Sequence, residues 1–439
     1  MNRLRALVLT LTAAVPLSAQ SAEITRIASS FEDTQPFGMF IDVGFQHTQR
    51  KLLITRESHE EVNGTRTVVD RKELRYTGID TRLNLDLHIG IWKDVEFHYG
   101  LPIVFQRNEY YGFASGTDAS NSTLTPGPNN CLNARGELVS PNCTTSPMGG
   151  GPTTAYWPGD PTKPPTSFRN GLGNMRFGLA WAPFNQQKDD TKPTWIVGID
   201  YEAPTAQGID PSVITTSSAR GGVGDRVHRY MLYTTFSRRI GIVDPYFQTA
   251  VTLNYRGPGW YSNCDNPQVA SMGRAENCND AEWGRSRTGI EVPIVARMIF
   301  GAEFNAYEMA EKHQRVALDL RAISEYVGPG RYYNELTTLT QKFMATQDYL
   351  KFGGRLGINA YASDYIRLQA TAALLYNTPH LLSNETIGRD LNNDGQINVS
   401  TNPREVNPNF DYRSDVVSRH FRASEIWDFQ LNVTASLNF

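Results

Sequence analysis

The last thirteen residues alternate: Trp427, Phe429, Leu431, Val433, Ala435, Leu437 and Phe439 are apolar, and Asp428, Gln430, Asn432, Thr434, Ser436 and Asn438 between them are polar. Successive side chains of a strand point to opposite faces, so this spacing predicts a strand with one apolar and one polar face. It is longer than the roughly 5 or 6 residues usual for soluble sheets and suits a tilted strand that crosses a bilayer. The rhythm recurs upstream. Leu83, Leu85, Leu87, Ile89 and Ile91 alternate with Asn84, Asp86 and His88, a turn is predicted at Lys93 and Asp94, and Val95, Phe97, Tyr99, Leu101, Ile103 and Phe105 form the return strand. Further strands are predicted over 39–48, 174–184, 195–201, 228–238, 246–255, 290–307, 316–326, 350–361 and 366–377. The total is about 12, an even number as expected of a bacterial single-chain barrel.

The connections alternate in length. Short joins fall at Lys93 and Asp94, 186–192, 239–244, 308–315, and Ser363 with Asp364; longer ones fall at 58–71, 108–167, 205–225, 257–287, 328–347 and 378–422. A barrel with both termini in the periplasm puts short turns inside and long loops outside. The expected fold is therefore all-β, a closed antiparallel transmembrane β-barrel with long extracellular loops. The stretch 121–166 is rich in Gly, Pro, Ser, Thr and Asn, a linker-like composition. It reads as one large surface loop, because the alternation resumes on both sides. The large surface loops lie near 108–167, 257–287 and 378–422.

Composition adds the route. Arg3 and Arg5, an apolar run over 6–17, and Ser18, Ala19, Ser21 and Ala22 have the layout of a secretory signal peptide, expected to be cleaved within 1–22 and to leave a barrel over 23–439. Past it, no stretch approaches the roughly 18 apolar residues that a membrane helix needs. The mean hydropathy of -0.42 fits strands that are half polar. Losing the two arginines takes the net charge of -3 to about -5, a mild acidity that offers nucleic acid nothing. The four cysteines form two close pairs, Cys131 with Cys143 and Cys264 with Cys278. With an export signal they read as two loop disulfides, other connectivities staying open.

Charges of both signs sit opposite the apolar faces: Arg82, Asp86, Glu291, Arg297, Glu303, Asp319, Arg321, Lys351, Arg355, Arg367 and Asp428. Facing lipid, an Arg or Lys would cost about 2 to 4 kcal/mol at mid-membrane, so these residues should face the lumen. Two readings follow, a passage whose charges tune selectivity and a salt-bridged plug. About twelve strands lies between the filled barrels of roughly 8 and the water channels of about 16. Trp92, Trp195, Tyr246, Tyr255, Tyr307 and Trp427 near strand ends suit an aromatic girdle.

Three segments resemble known motifs. Asp390, Asn392, Asp394, Gly395 and Asn398 are similar to the first part of an EF-hand or dockerin-type calcium loop, although Thr401 stands at the final acidic position, so the site would be weak. Phe429, Leu431, Val433, Leu437 and Phe439 resemble the C-terminal signal that the barrel-assembly machinery reads in outer-membrane barrels. The run Gly171, Leu172, Gly173, Asn174, Met175, Arg176, Phe177, Gly178 and Leu179 resembles a segment of the outer-membrane transporter family grouped with the MetA pathway of phenol degradation. Tyr99 to Pro102 and Tyr201 to Thr205 fit its style. The chain departs from it at Asn174, where an acid is usual, and at Ala206, where a Gly would follow Pro-Thr.

That resemblance implies an outer-membrane channel or transporter for passive uptake of small solutes, apolar or aromatic ones among them. Its partners would be membrane lipid, the assembly machinery and the solute. The alternative is a structural or adhesive surface barrel with a closed lumen. A lipid-modifying enzyme is the third reading, but no His-x-Ser-Asn-Gly-like segment occurs, and His47, His59, His88, His98, His228, His313, His380 and His420 are scattered without ligand spacing. No catalytic residue and no cofactor beyond calcium is expected.

Overall fold

The computed structural model describes residues 22–31, 36–125, 131–132, 138–139, 156–157, 159–266, 275–398 and 400–439. The signal segment 1–21 and Cys143 lie outside the described residues.

Twelve strands form one wall: β1 (Met39–Val62), β2 (Thr65–Trp92), β3 (Val95–Phe113), β4 (Arg176–Phe184), β5 (Thr194–Glu202), β6 (Val227–Ser237), β7 (Val243–Arg256), β8 (Val295–Met309), β9 (Gln314–Val327), β10 (Tyr349–Tyr361), β11 (Ile366–Asn377) and β12 (Phe421–Asn438). Each pairs with its neighbours in sequence, and β12 returns to β1, from Phe40 opposite Asn438 to Arg56 opposite Phe421. Closure leaves the wall no free edge except where the β1–β2 hairpin, 57–62 with 65–73, stands beyond its neighbours, so the backbone groups of the closed part are satisfied without water. Among the described residues no helix is long and apolar enough to cross a membrane. The closed antiparallel barrel and its twelve strands agree with the sequence reading.

The alternation sorts the side chains. Val43, Phe45, Leu179, Trp181, Leu232, Phe300, Leu356 and Val433 stand exposed on the outer face, while Glu96, Glu303, Asp319, Arg367 and Thr371 are buried inside. Three expectations need correction. The stretch 58–71 is not a long connection: β1 and β2 stay paired to Val62 opposite Thr65. Asn63 and Gly64 turn the hairpin with φ of 53° and 75°, the left-handed pair that a two-residue hairpin turn requires. Glu291 is not in the wall. Pro293 lacks the N–H needed to extend the ladder, β8 begins at Val295, and Glu291 instead bridges backbone to backbone with Arg331. Tyr246 does not join an aromatic girdle; it is buried inside, its hydroxyl bonded to Asp319.

Candidate functional site

The short-turn end of the lumen is crossed by the N-terminal segment. Glu23 N–H donates to Glu303 on β8 at 2.7 Å, Thr25 shares a hydroxyl bond with Ser237 on β6, and Arg26 pairs with Asp42 on β1 at 2.7 Å. Ala28 N–H then donates to Glu96 on β3 at 2.7 Å, and Ser30 bridges to Lys93 in the β2–β3 turn. The eight residues from Glu23 to Ser30 thus reach β1, β3, β6, β8 and the β2–β3 turn. Beside it lies a cavity of about 340 Å³ lined by Ile24, Asp86, Arg176, Asp200, Met231 and Tyr233 among others.

Ten of the predicted lumen charges are on inward-facing strand positions, all but Glu291. Arg82 pairs with Asp80 at 2.7 Å, Asp86 with Arg176 at 2.9 Å, Arg321 with Asp319 at 2.6 Å, Lys351 with Glu325 at 3.1 Å, and Asp428 with Arg50 at 3.0 Å. Arg367 touches Glu23 and Asp42, and its Nε donates to Ser436 at 3.0 Å. Glu303 accepts from Asn359 at 3.1 Å, Arg297 reaches Met231, and Arg355 stands opposite Arg321 in the β9–β10 register. Buried ions need such partners, because an unpaired one costs several kcal/mol.

The glycines of the 171–179 run have a use here. Gly178 lies between His98 and Asp200 in the registers of β3, β4 and β5. A Cβ there would strike both side chains, so its absence lets His98 Nε2 meet Asp200 Oδ1 at 2.7 Å over the bare backbone. Gly100 does the same for Asp86 and Arg176. Asn174, where an acid is usual, donates to Glu202 at 2.8 Å and accepts from Ala206 N–H at 3.1 Å. An ionised acid could not donate, and would face Glu202 with like charge.

The long-loop end is filled differently. Leu52, Ile54, Leu74, Tyr76, Tyr111, Phe421 and Ile426 of the strands form a buried apolar cluster with Leu124, Tyr156, Trp157, Leu336, Leu339 and Leu382 of the loops. The loop between β9 and β10 enters the barrel mouth. Glu335 pairs with Arg50 at 2.6 Å, its carbonyl accepts from Tyr111 at 3.0 Å, and buried Glu109 accepts from Tyr333 at 2.7 Å and Thr338 at 2.6 Å. Above it, Lys342 stands 3.5 Å from Asp411, which also takes Arg413 at 3.0 Å. Burial opposes ionisation, yet these cations hold the Asp411 carboxyl below its usual range. Burial pushes Asp415 up to about 7 against the pull of Lys342, with Asp411 and Glu385 adding to the rise.

Cys264 and Cys278 are joined in a disulfide in the 257–294 connection. Cys131 lies in a two-residue strand, paired with Val139. In the calcium-like loop, Asp390 accepts from Asp394 and Gly395 N–H at 3.2 and 2.8 Å, Asn392 from Asp394 at 3.0 Å, and Asn398 from Thr401 at 3.3 Å. A carboxylate outside the motif window enters this loop: buried Glu405 accepts from Leu391 at 3.2 Å and Asn398 at 2.9 Å.

Sequence reasoning passed over several inward ions, among them Asp42, Arg50, Glu96, Arg107 and Glu109. Asp42 and Glu96 share the inward side of the strands predicted over 39–48 and 95–105, so parity is their signal, whereas Arg50, Arg107 and Glu109 lie beyond those bounds on strands that run to Val62 and Phe113. A bulge at Phe105 reverses parity on β3 and turns Arg107, Glu109 and Tyr111 inward.

No family model and no curated protein matches the chain. Among solved structures, an outer membrane channel from Pseudomonas putida F1 is similar at 10% identity, with 94% of this chain and 98% of that chain covered and a TM-score of 0.42. The TodX monoaromatic hydrocarbon channel, as its deltaS2 mutant, is similar at 8% identity over 92% of this chain and 91% of that one, with a TM-score of 0.31. The outer membrane protease OmpT from Escherichia coli is similar at 8% identity over 93% and 99%, with a TM-score of 0.28.

Proposed function

We propose that the protein is a channel for passive uptake of small solutes across a bacterial outer membrane. The observation that carries the reading is the closed twelve-strand wall, apolar outside and ionic inside, around a cavity of about 340 Å³. A belt of exposed Leu, Phe, Val and Trp on every side is an unstable surface in water and a suitable one in lipid. In this reading the short turns face the periplasm and the disulfide-pinned loops face outward. Phe439 closes against Met39 by backbone hydrogen bonds with its ring exposed, and in this reading that ring is part of the signal the assembly machinery reads. Tyr233, Met231 and Ile24 beside Asp86 and Arg176 make a cavity wall of mixed character, which suits small solutes with an aromatic or apolar part.

The second reading, a structural or adhesive barrel with a closed lumen, is favoured by one observation: the Tyr333–Thr340 loop docks on apolar and ionic partners inside the mouth. Under the channel reading that loop is a movable obstruction. Single-channel recording of the folded protein in planar bilayers separates the two. Discrete conductance steps are expected, and silence of a demonstrably folded barrel at every voltage and salt concentration overturns the channel.

A further inference from the structure

His88 and His98 face each other directly in the register of β2 and β3, and Glu96 lies two residues before His98 on the same inward face. Nδ1 of His88 is 2.6 Å from Glu96 Oε1, and Nδ1 of His98 is 3.4 Å from the same oxygen. The three ligand atoms lie within 4.8 Å of one another. We propose that this trio, at the edge of the luminal cavity, is a binding site for a divalent transition-metal cation of the zinc class.

The surroundings are those of a metal site in four respects. His98 turns Nε2 to Asp200 Oδ1 at 2.7 Å, the carboxylate–histidine pairing that orients a ligating imidazole and raises its basicity. With that nitrogen engaged, Nδ1 keeps its lone pair for a metal, and it is buried with Glu96 Oε1 3.4 Å away and no well-formed hydrogen bond. Glu96 is held as well. Its Oε2 accepts from Ala28 N–H, which leaves Oε1 directed at the imidazoles. The two arginines that line the same cavity are occupied elsewhere, Arg176 by Asp86 and Arg26 by Asp42, so their charges are offset.

Two imidazole nitrogens and one carboxylate oxygen suit Zn²⁺ and its first-row neighbours better than Ca²⁺ or Mg²⁺, which prefer all-oxygen shells. A tetrahedral ion bonded at about 2.0–2.2 Å needs ligand atoms about 3.3 Å apart, within reach of small side-chain rotations here. Three protein ligands would leave a fourth position for water or a passing solute, and all three residues line the cavity. The bound ion would also tie β2 and β3 to the N-terminal segment through Glu96.

The test is titration of chelator-treated, folded full-length protein in detergent with Zn²⁺ by calorimetry, and with Co²⁺ by visible absorption. One Zn²⁺ per chain is expected, together with the absorption of Co²⁺ in a nitrogen and oxygen shell. His88→Ala and His98→Ala should each weaken binding more than about 100-fold, and Asp200→Asn about 10- to 100-fold. His313→Ala, at an exposed turn, should leave it unchanged. Folding of each variant is checked by its heat-dependent mobility on gels. Should His98→Ala fail to fold, His88→Gln carries the test, since His88 is outside the Asp200 pair. Absence of Zn²⁺ uptake by the parent protein, or uptake unaltered in the histidine variants, overturns the site and leaves a buried acid held between two imidazoles.

Discussion

On the short-turn side of Arg50 and Asp428 the inward face of the barrel is a set of ion pairs around a cavity, whereas on the long-loop side an apolar core shared with the loops stands among buried ions such as Glu109 and Asp411. The same strands build both. In the first half each buried charge needs a particular partner, and the N-terminal segment supplies several: Arg26 for Asp42, Glu23 for Arg367, and the Ala28 amide for Glu96. In the second half Leu52, Ile54 and Leu74 ask only for other apolar surface, which Leu336, Leu339 and Leu382 provide. The two ends of the lumen are thus held by different forces, and each is expected to open without the other.

The largest expected effect lies in the ionic half. Arg367→Ala leaves Arg26 as the one cation between Glu23 and Asp42, so that one buried carboxylate is uncompensated, and should cost about 3–5 kcal/mol. Hydrogen exchange should show residues 22–30 losing protection while the loop core keeps its own. Joint loss at both ends would break the proposed independence.

Leu339→Ala attacks the other half. Removing a side chain only 2% exposed should cost about 2–5 kcal/mol locally. Proteolytic cutting of the 328–348 connection and larger conductance steps are expected, with the N-terminal segment unaffected.

The smallest effect is a pH dependence confined to the loop cap. Asp415 is raised to about 7 in the folded loops, against about 3.9 unfolded, so the folded cap holds a proton that the unfolded one releases. Its contribution is full below about pH 4 and is lost as pH rises through 7. Between pH 5.5 and 8 the 380–420 amides should lose about 2 kcal/mol of exchange protection, after correction for intrinsic rates. Equal protection at both values removes Asp415 from the account.

The comparison also explains which parts of the barrel were legible beforehand. Alternation is clear where the inward face is polar, as over 82–91 and 427–439. It fades at Leu52, Leu53 and Ile54, where both faces are apolar, so β1 read as ending near 48 when it runs to Val62. The hairpin beyond it carried its own mark, Asn63 followed by Gly64, but its charged strands resembled a loop. The His88, Glu96 and His98 trio has no ligand spacing along the chain, because its histidines meet only across the β2–β3 register. Folding the chain back at Lys93 and Asp94 places 88 opposite 98 by counting alone.

The strand pairing makes the number twelve, while the alternation along the chain specifies an antiparallel barrel of about twelve strands with an apolar outer face. That much depends on a period of two, a local property that each strand carries in its own side chains. Only the tertiary structure decided what fills the lumen. Asp42 with Arg367, His98 with Asp200 over Gly178, and Glu109 with Tyr333 are pairs far apart in the chain, joined by closure, register and a bulge. Such contacts depend on where distant strands stop and how loops turn inward, and no local pattern encodes either.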